Sequence, residues 1–316
     1  MRLLRVLALL FLSASASAHA QVARIGVLSP FIGPDSDFFE VLRGRLQELG
    51  YVEGRNAAYI YRTAEEYDRL AEHAAEMVRL NVQVIVTAGA PGVRAAKGAT
   101  NTIPIVIANV GDALAQGFVS NLARPGGNIT GLTSLNTELS AKRVDVLVEA
   151  LPAATHLVAL REAVGDSSPV RATEAAARAK GVRVEVMAVR DADELGSAIS
   201  AAARTRGTAL VVIPGSMFAS QLRRVVDLAA SHRLPAIYPD SRYVRAGGLM
   251  SYGPNVQELY RQAAGYVDRI LKGAPAGSLS IGQPTSFELA INQRTAEALG
   301  VVLTPEVLLR ADVVLR

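Results

Sequence analysis

Cysteine and tryptophan are both absent from the 316 residues. Without cysteine there can be no disulfide, no thiolate nucleophile and no cysteine-ligated metal, so a folded chain must be held by its core. Histidine is nearly as scarce. His19, His73, His156 and His232 are the four that occur. No two are close in sequence and none sits in an H-E-x-x-H spacing, so they read as isolated side chains rather than metal ligands. No apolar run reaches the roughly 20 residues of a membrane-spanning helix. Neither sign of charge dominates, with 33 Lys and Arg against 29 Asp and Glu. No basic stretch carries interleaved aromatics, and no nucleic-acid partner is expected.

Several catalytic signatures are missing too. Residues 86–97, VTAGAPGVRAAK, lack the GK[ST] ending of an ATP-binding loop, and RIGVLSP at 24–30 lacks G-x-G-x-x-G. PGSMF at 214–218 lacks the second glycine of a nucleophile elbow. No cofactor is expected.

What is present begins with Arg2 and Arg5, an apolar run from Leu7 to Leu12, and small residues ending at Ala18, His19 and Ala20. This pattern predicts a secretory signal peptide cut after Ala20, and Gln21 offers no cysteine for a lipid, so a periplasmic protein that is not a lipoprotein is expected. Half of the residues are apolar. The length fits about two domains of ~150 residues.

Apolar, β-branched runs at 24–28, 57–61, 82–88, 103–109 and 128–133 alternate with helical patterns such as FFEVLRGRLQEL and, after the fourth run, DALAQGFVSNLA. Five more runs follow, at 156–160, 182–189, 209–214, 236–239 and 249–252, with helices near 169–180, 193–205 and 217–232. Alternation of this kind predicts an α/β chain of two similar lobes, each with a parallel sheet covered by helices on both faces. TGLTS (130–134) and SYGPN (251–255) are the expected crossings between lobes. The helix from Val256 onward carries Leu259, Ala263, Tyr266, Val267 and Ile270 on one stripe, which predicts a core face against the first lobe.

The strand ends hold the candidates for chemistry. Small residues between strand and helix at VTAGAPGVRAAK let a guest approach backbone and unpaired helix N–H groups, which fits a phosphate loop, a ligand clamp or an ordinary βα turn. Asp112 and Asp240 follow the fourth and ninth runs. Either could accept a proton, or serve as a cap or turn residue, and no partner group accompanies them.

LQELGYVEGRN (46–56), LARPGGNITGL (122–132), HRLPAIYP (232–239), AGGLMSYGPN (246–255), YVDRILKGA (266–274) and QPTSFELAINQRTAEALG (283–300) resemble the periplasmic substrate-binding proteins of ABC transporters, of the tryptophan/tyrosine type. The resemblance implies a type I periplasmic-binding fold: two doubly wound parallel-sheet lobes joined by a three-segment hinge that closes over a small molecule. Its lobes would be residues 21–132 with about 254–282, and 133–253 with about 283–316. Its cleft residues would be Ser29 and Pro30; Thr87, Ala88, Gly89, Ala90 and Pro91; Asn109, Gly111 and Asp112; Pro214, Gly215 and Ser216; Tyr238 and Asp240; and Ser251 and Tyr252.

On this reading VTAGAPGVRAAK is the first lobe's clamp, with helix amides and Thr87 receiving a carboxylate. The partners implied are a small carboxylate-bearing ligand, an amino acid or an aromatic or organic acid, and an ABC permease with its ATPase. The protein itself is expected to be a monomer. Gly215, Ser216 and Met217 stand where many relatives have an aspartate and aromatics, Asp240, Ser241 and Arg242 where an aromatic is common, and 161–169 departs from an asparagine-containing loop. The rings available to stack a ligand are Tyr238, Tyr252, Phe31 and Phe218. No catalysis is expected; the alternatives are a periplasmic enzyme using Asp112 or Asp240 as base, and a ligand sensor feeding a kinase or chemoreceptor.

Overall fold

Strands buried on both faces of a parallel sheet are apolar throughout, and that is how the first half of the chain folds. A computed structural model describes residues 22–316; the expected signal peptide and its cleavage site lie outside the described residues. Strands β1 (Ala23–Pro30), β2 (Ala57–Ala64), β3 (Val84–Ala88), β4 (Ile105–Val110) and β5 (Ile129–Thr133) form one sheet in the order β2-β1-β3-β4-β5. Every pair in it is parallel. Helices α1 (Asp37–Glu48), α2 (Leu70–Arg79) and α3 (Ala90–Ala99) connect the first four strands. Cores lie on both faces, one around Ile25, Val84 and Val106, the other around Leu28, Ile85 and Ile107.

The second sheet departs from five parallel strands. It has seven, β6 (His156–Glu162), β7 (Arg183–Val189), β8 (Thr208–Val212), β9 (Ala236–Tyr238), β10 (Met250–Gly253), β11 (Glu288–Asn292) and β12 (Val313–Leu315), in the order β12-β11-β10-β9-β8-β6-β7. β10 and β11 are antiparallel, and the other pairs are parallel. The extra strands come from the tail, which returns to extend the sheet.

Around it lie α4 (Asn136–Ala150), α5 (Ser168–Ala179), α6 (Glu194–Ala202), α7 (Ser216–Ser220), α8 (Leu222–Ser231) and α9 (Ser241–Arg245). The single helix expected near 217–232 is divided at Gln221 into α7 and α8. The expected helix at DALAQGFVSNLA is instead a run of turns, because the Asp112 side chain accepts from the N–H groups of Leu114 and Ala115 and Gly117 takes a left-handed φ of 68°.

Three passages join the lobes. The first runs from β5 into α4, which packs on β9 and β10. The second runs from β10 into α10 (Val256–Leu271), which returns to the first lobe. There Leu259, Ala263, Tyr266, Val267 and Ile270 join the core that includes Val84 and Val106. The third follows Gly282, which is paired to β5 through Thr133 N–H and its own N–H to Gly131, and leads into β11. α11 (Gln293–Leu299) and α12 (Pro305–Arg310) complete the tail. No helix among the described residues is long and apolar enough to cross a membrane.

Candidate functional site

Parallel strands of each lobe end on the cleft between them, so the loops leaving β3, β4, β6, β8 and β9 face one another there. The first lobe contributes Ala88, Gly89, Ala90, Pro91, Asn109, Gly111 and Gln116 to the lining. The second contributes Arg143, Arg161, Glu162, Pro214, Gly215, Ser216, Asp240, Arg242 and Tyr243, with Ser134, Asn136, Pro254 and Tyr260 beside the passages.

Gly89 caps α3 at φ 77° and ψ 148°, a region open to glycine, and Pro91 sits in the first turn, where no N–H is missed. The Oδ1 of Asn109 and the Oε1 of Gln116 are buried without a partner. Such groups are costly unless a guest satisfies them.

Ten of the expected cleft residues line it: Ala88, Gly89, Ala90, Pro91, Asn109, Gly111, Pro214, Gly215, Ser216 and Asp240. Seven stand off the lining. Ser29, Pro30, Thr87 and Ser251 are buried within their strands, and Thr87 lies under α3, where a Cβ on Gly92 would come 2.2 Å from its Oγ1. Its hydroxyl is enclosed there without a hydrogen-bond partner. Asp112 is engaged in its turn. Tyr238 is stacked on Tyr243 within the core, at 5.0 Å and 12°, and Tyr252 leans on Phe287. Of the other two rings, Phe218 is fully buried and Phe31 packs edge-on against Tyr67.

Asp240 is held too. Its Oδ1 accepts from Arg242 Nε at 2.8 Å and its Oδ2 from Nη2 at 3.0 Å, while Oδ1 also caps α9.

Two buried charges in the lining were not anticipated. Arg143 is 1% exposed; its Nε donates to the Tyr252 carbonyl at 2.8 Å and its Nη2 to the Pro239 carbonyl at 3.2 Å, with Nη1 3.5 Å from Ser140 Oγ. A guanidinium carries five N–H donors, so some remain without an acceptor. Burial pulls its pKa down to about 10, against the opposing pull of Asp240. The signal in the sequence was an arginine on the buried stripe of α4, one turn from Leu139 and from Leu147.

Glu162 ends β6. Its Oε1 accepts from Met217 N at 2.7 Å and Phe218 N at 3.1 Å, and its Oε2 from Tyr67 Oη at 2.5 Å. Burial pushes its pKa up, opposed by the Tyr67 hydroxyl and the two backbone N–H groups. Gly215 permits this approach, since a Cβ there would come 2.1 Å from Oε1.

Tyr67 belongs to the first lobe and Glu162 to the second, so the lobes are in contact. Phe31 of the first lobe packs against the second lobe's core around Phe218 and Tyr243. A Cβ on Gly89 would lie 2.4 Å from Ser216 Oγ across the cleft. The lobes are drawn together in a closed form.

Residues 34–315 match the family model described as ABC transporter substrate binding protein. The chain belongs to that family. This substrate-binding protein is 25% identical over 258 residues, 80% of its length and 74% of the relative's, to a tyrosine-binding protein of Clostridioides difficile strain R20291. It superposes with a TM-score of 0.84 and 26% identity on a conserved domain protein of Vibrio cholerae, covering 93% of this chain and 100% of that one. With the ABC domain of Streptococcus pneumonia in complex with L-Trp the TM-score is 0.82 at 24% identity, over 93% and 99% of the two chains. The architecture is the type I periplasmic-binding fold.

Proposed function

We propose that this substrate-binding protein is the solute-receiving component of an ABC importer, exported by the leader expected at residues 1–20, and that it closes its lobes over a small carboxylate-bearing ligand before passing it to a permease and ATPase. The observation that carries the ligand class is Arg143, a buried guanidinium in the cleft wall whose hydrogen-bond partners are all neutral and which has N–H groups left over, while the nearby Asp240 is engaged by Arg242. A carboxylate would satisfy it in the geometry guanidinium favours. At the start of α3 the Ala90 N–H adds a donor from the opposite lobe, since Gly89 donates to the Asn109 carbonyl and Pro91 has no N–H. On this reading the first lobe is residues 21–132 with about 254–282, the second is 133–253 with about 283–316, and the protein acts as a monomer.

Binding without turnover is the better reading of the two carboxylates once considered as bases. Asp240 is engaged by Arg242 and Asp112 by its own turn. The relatives named for tyrosine and crystallised with L-Trp make aromatic amino acids the first ligands to try. Thermal unfolding of residues 21–316 against amino acids, aromatic acids and small organic acids tests the proposal. A true ligand at 100 times its dissociation constant stabilises the protein by about 2.7 kcal/mol and is recovered unchanged. A hit that is consumed would make the protein an enzyme, and a hit confined to compounds without a carboxylate would overturn the ligand class.

A further inference from the structure

Closing the cleft shuts the first lobe over a carboxylate of the second. On one side Glu162 is walled by its own lobe, where the N–H groups of Met217 and Phe218 hold Oε1 and bare Gly215 lies against it. The other wall comes from the first lobe. Tyr67 donates to Oε2, and Phe31, edge-on to Tyr67 at 4.8 Å, packs against the second lobe's core around Phe218. With both walls in place Glu162 is only 9% exposed. Opening the lobes would remove the second wall and admit water to Oε2.

Groups that act on this carboxylate come from several elements. Arg161, its neighbour in β6, attracts the anion while bonding to the carbonyls of Glu162 and Ala163. Tyr67 stands in the turn before α2, with the charge of Arg94 on α3 acting on it. Tyr243 of α9 feels the Glu162 charge, Asp166 in the following loop is engaged by the Ser168 N–H, and the side chains of α7 carry no charge. Burial outweighs the three donors and Arg161, so the carboxyl titrates above its ordinary range. Arg161 and the α7 amides stay with Glu162 when the lobes part. What closure changes is the first lobe's wall: the Tyr67 hydroxyl replaces a water, one neutral donor for another, whereas the remaining hydration of the anion is lost. A protonated Oε2 keeps the contact with the bond reversed, since a phenol both donates and accepts.

We propose that closing the lobes takes up one proton from solvent at Glu162, so that the closed form gains on the open one as the surroundings acidify. The preference is full below the open-form titration of Glu162 and is lost as pH rises through the closed-form one. This rests on the reading that the lobes open and close, and not on the identity of the ligand. The chain has no cysteine, so a dye pair can be placed at will. Ala71 on α2 and Ala175 on α5 are exposed, one on each lobe. Fluorescence transfer between dyes on Ala71→Cys and Ala175→Cys reads the closed fraction of residues 21–316 without ligand from pH 4 to 8. The closed-to-open ratio should rise as pH falls, by up to about tenfold per unit of pH, the ceiling for one proton. Glu162→Gln mimics the neutral carboxyl and should hold one ratio throughout. Tyr67→Phe keeps the wall and loses the bond, so its ratio should be lower everywhere and still rise on acidification.

A wild-type distance that ignores pH overturns the proposal and needs no further variant to fold. A slope that survives unchanged in Glu162→Gln assigns the proton to another group and overturns it as well. Repeating the measurement with a mixture of the common amino acids and small organic acids separates the proton from the closing motion. Transfer that answers to the mixture and not to pH would sink the proton uptake and leave the binding reading standing. Transfer that answers to pH through Glu162 and not to the mixture would do the reverse. If it answers to neither, both fall.

Discussion

The Tyr67 hydroxyl and the Glu162 carboxylate are 95 residues apart in sequence and 2.5 Å apart in space, and they belong to different lobes. Tyr67 stands in the turn that opens α2, steadied by Phe31 edge-on at 4.8 Å. Glu162 is fixed from behind by the first N–H groups of α7. The bond spans the two bodies, so it forms on closure and breaks on opening. Ligand affinity in such a protein includes the free energy of closing, and this contact contributes to it without belonging to the cleft lining on the Tyr67 side.

Tyr67→Phe should therefore loosen closure and spare the fold. It removes one hydrogen bond to a buried carboxylate, about 1.5–3 kcal/mol, from the closed form alone. Ligand affinity should fall by about 10- to 100-fold while the unliganded melting temperature moves little. Interlobe distance measured by fluorescence transfer should show a larger open fraction without ligand; an unchanged distribution would contradict the role.

Glu162 also sets a pH dependence, whose sign follows from its raised pKa. The fold prefers the neutral carboxyl, so its contribution to stability is full below the ordinary carboxylate pKa near 4.5 and is lost as pH rises through the higher folded-state value. The unliganded protein should lose stability over that window as pH rises, and Glu162→Gln, neutral at every pH, should flatten this part of the profile. Urea denaturation at pH 4 to 8 measures it. A wild-type profile that keeps the same slope as Glu162→Gln removes the assignment.

Gly89 fits a closed cleft for two separate reasons, its φ of 77° and the 2.4 Å that would separate a Cβ from Ser216 Oγ. Gly89→Ala should cost the first lobe roughly 1–3 kcal/mol of backbone strain and obstruct closure as well. The second effect is separable. Ser216→Ala removes the obstructing oxygen and leaves a Cβ 3.8 Å away, so the double variant should regain much of the lost affinity but none of the lost stability. Affinity no better in the double than in Gly89→Ala would mean the lobes do not meet at this point.

Eight of the ten strands of the repeating pattern were legible because they are buried and largely apolar along their length, and the edge strands β2 and β7 because they carry β-branched and aromatic residues. β11 and β12 were not, since ELAIN is short, VVL shorter still, and both add to a sheet begun over 130 residues earlier. α4 was hidden by its own buried arginine, which interrupts the stripe of Leu139, Leu147 and Ala150. The site divided the same way. Loops at strand ends could be found from topology, hence Ala88 to Pro91, Asn109 and Pro214 to Ser216. The burial of Arg143 and Glu162 is created by Tyr252, Pro239 and Tyr67, each about 95 residues or more away in sequence, and no local pattern records such a meeting. The pleat decided the rest: hydroxyls of Thr87 and Ser251 are enclosed within the fold although the strands bearing them reach the cleft.

Arg143 admits a structural role and a binding role, and one substitution separates them. As a strut it ties α4 to the carbonyls of Tyr252 and Pro239 beside the second passage. Arg143→Met keeps most of the side-chain volume and removes both the two bonds and an unneutralised buried charge, terms of opposite sign, so stability should change by no more than about 2 kcal/mol. Affinity for a carboxylate ligand should fall far more, by about 2–5 kcal/mol, because the partner charge is lost from a desolvated site. The control is a ligand without the carboxylate: tyramine should bind wild type and Arg143→Met within a few-fold of each other. If tyramine and L-tyrosine weaken equally, the effect passes through the passage between lobes, and Arg143 is a strut alone. If only L-tyrosine weakens, the guanidinium meets the carboxylate directly, and the same residue that ties α4 to the strand leading into the second passage also senses that the cleft is filled.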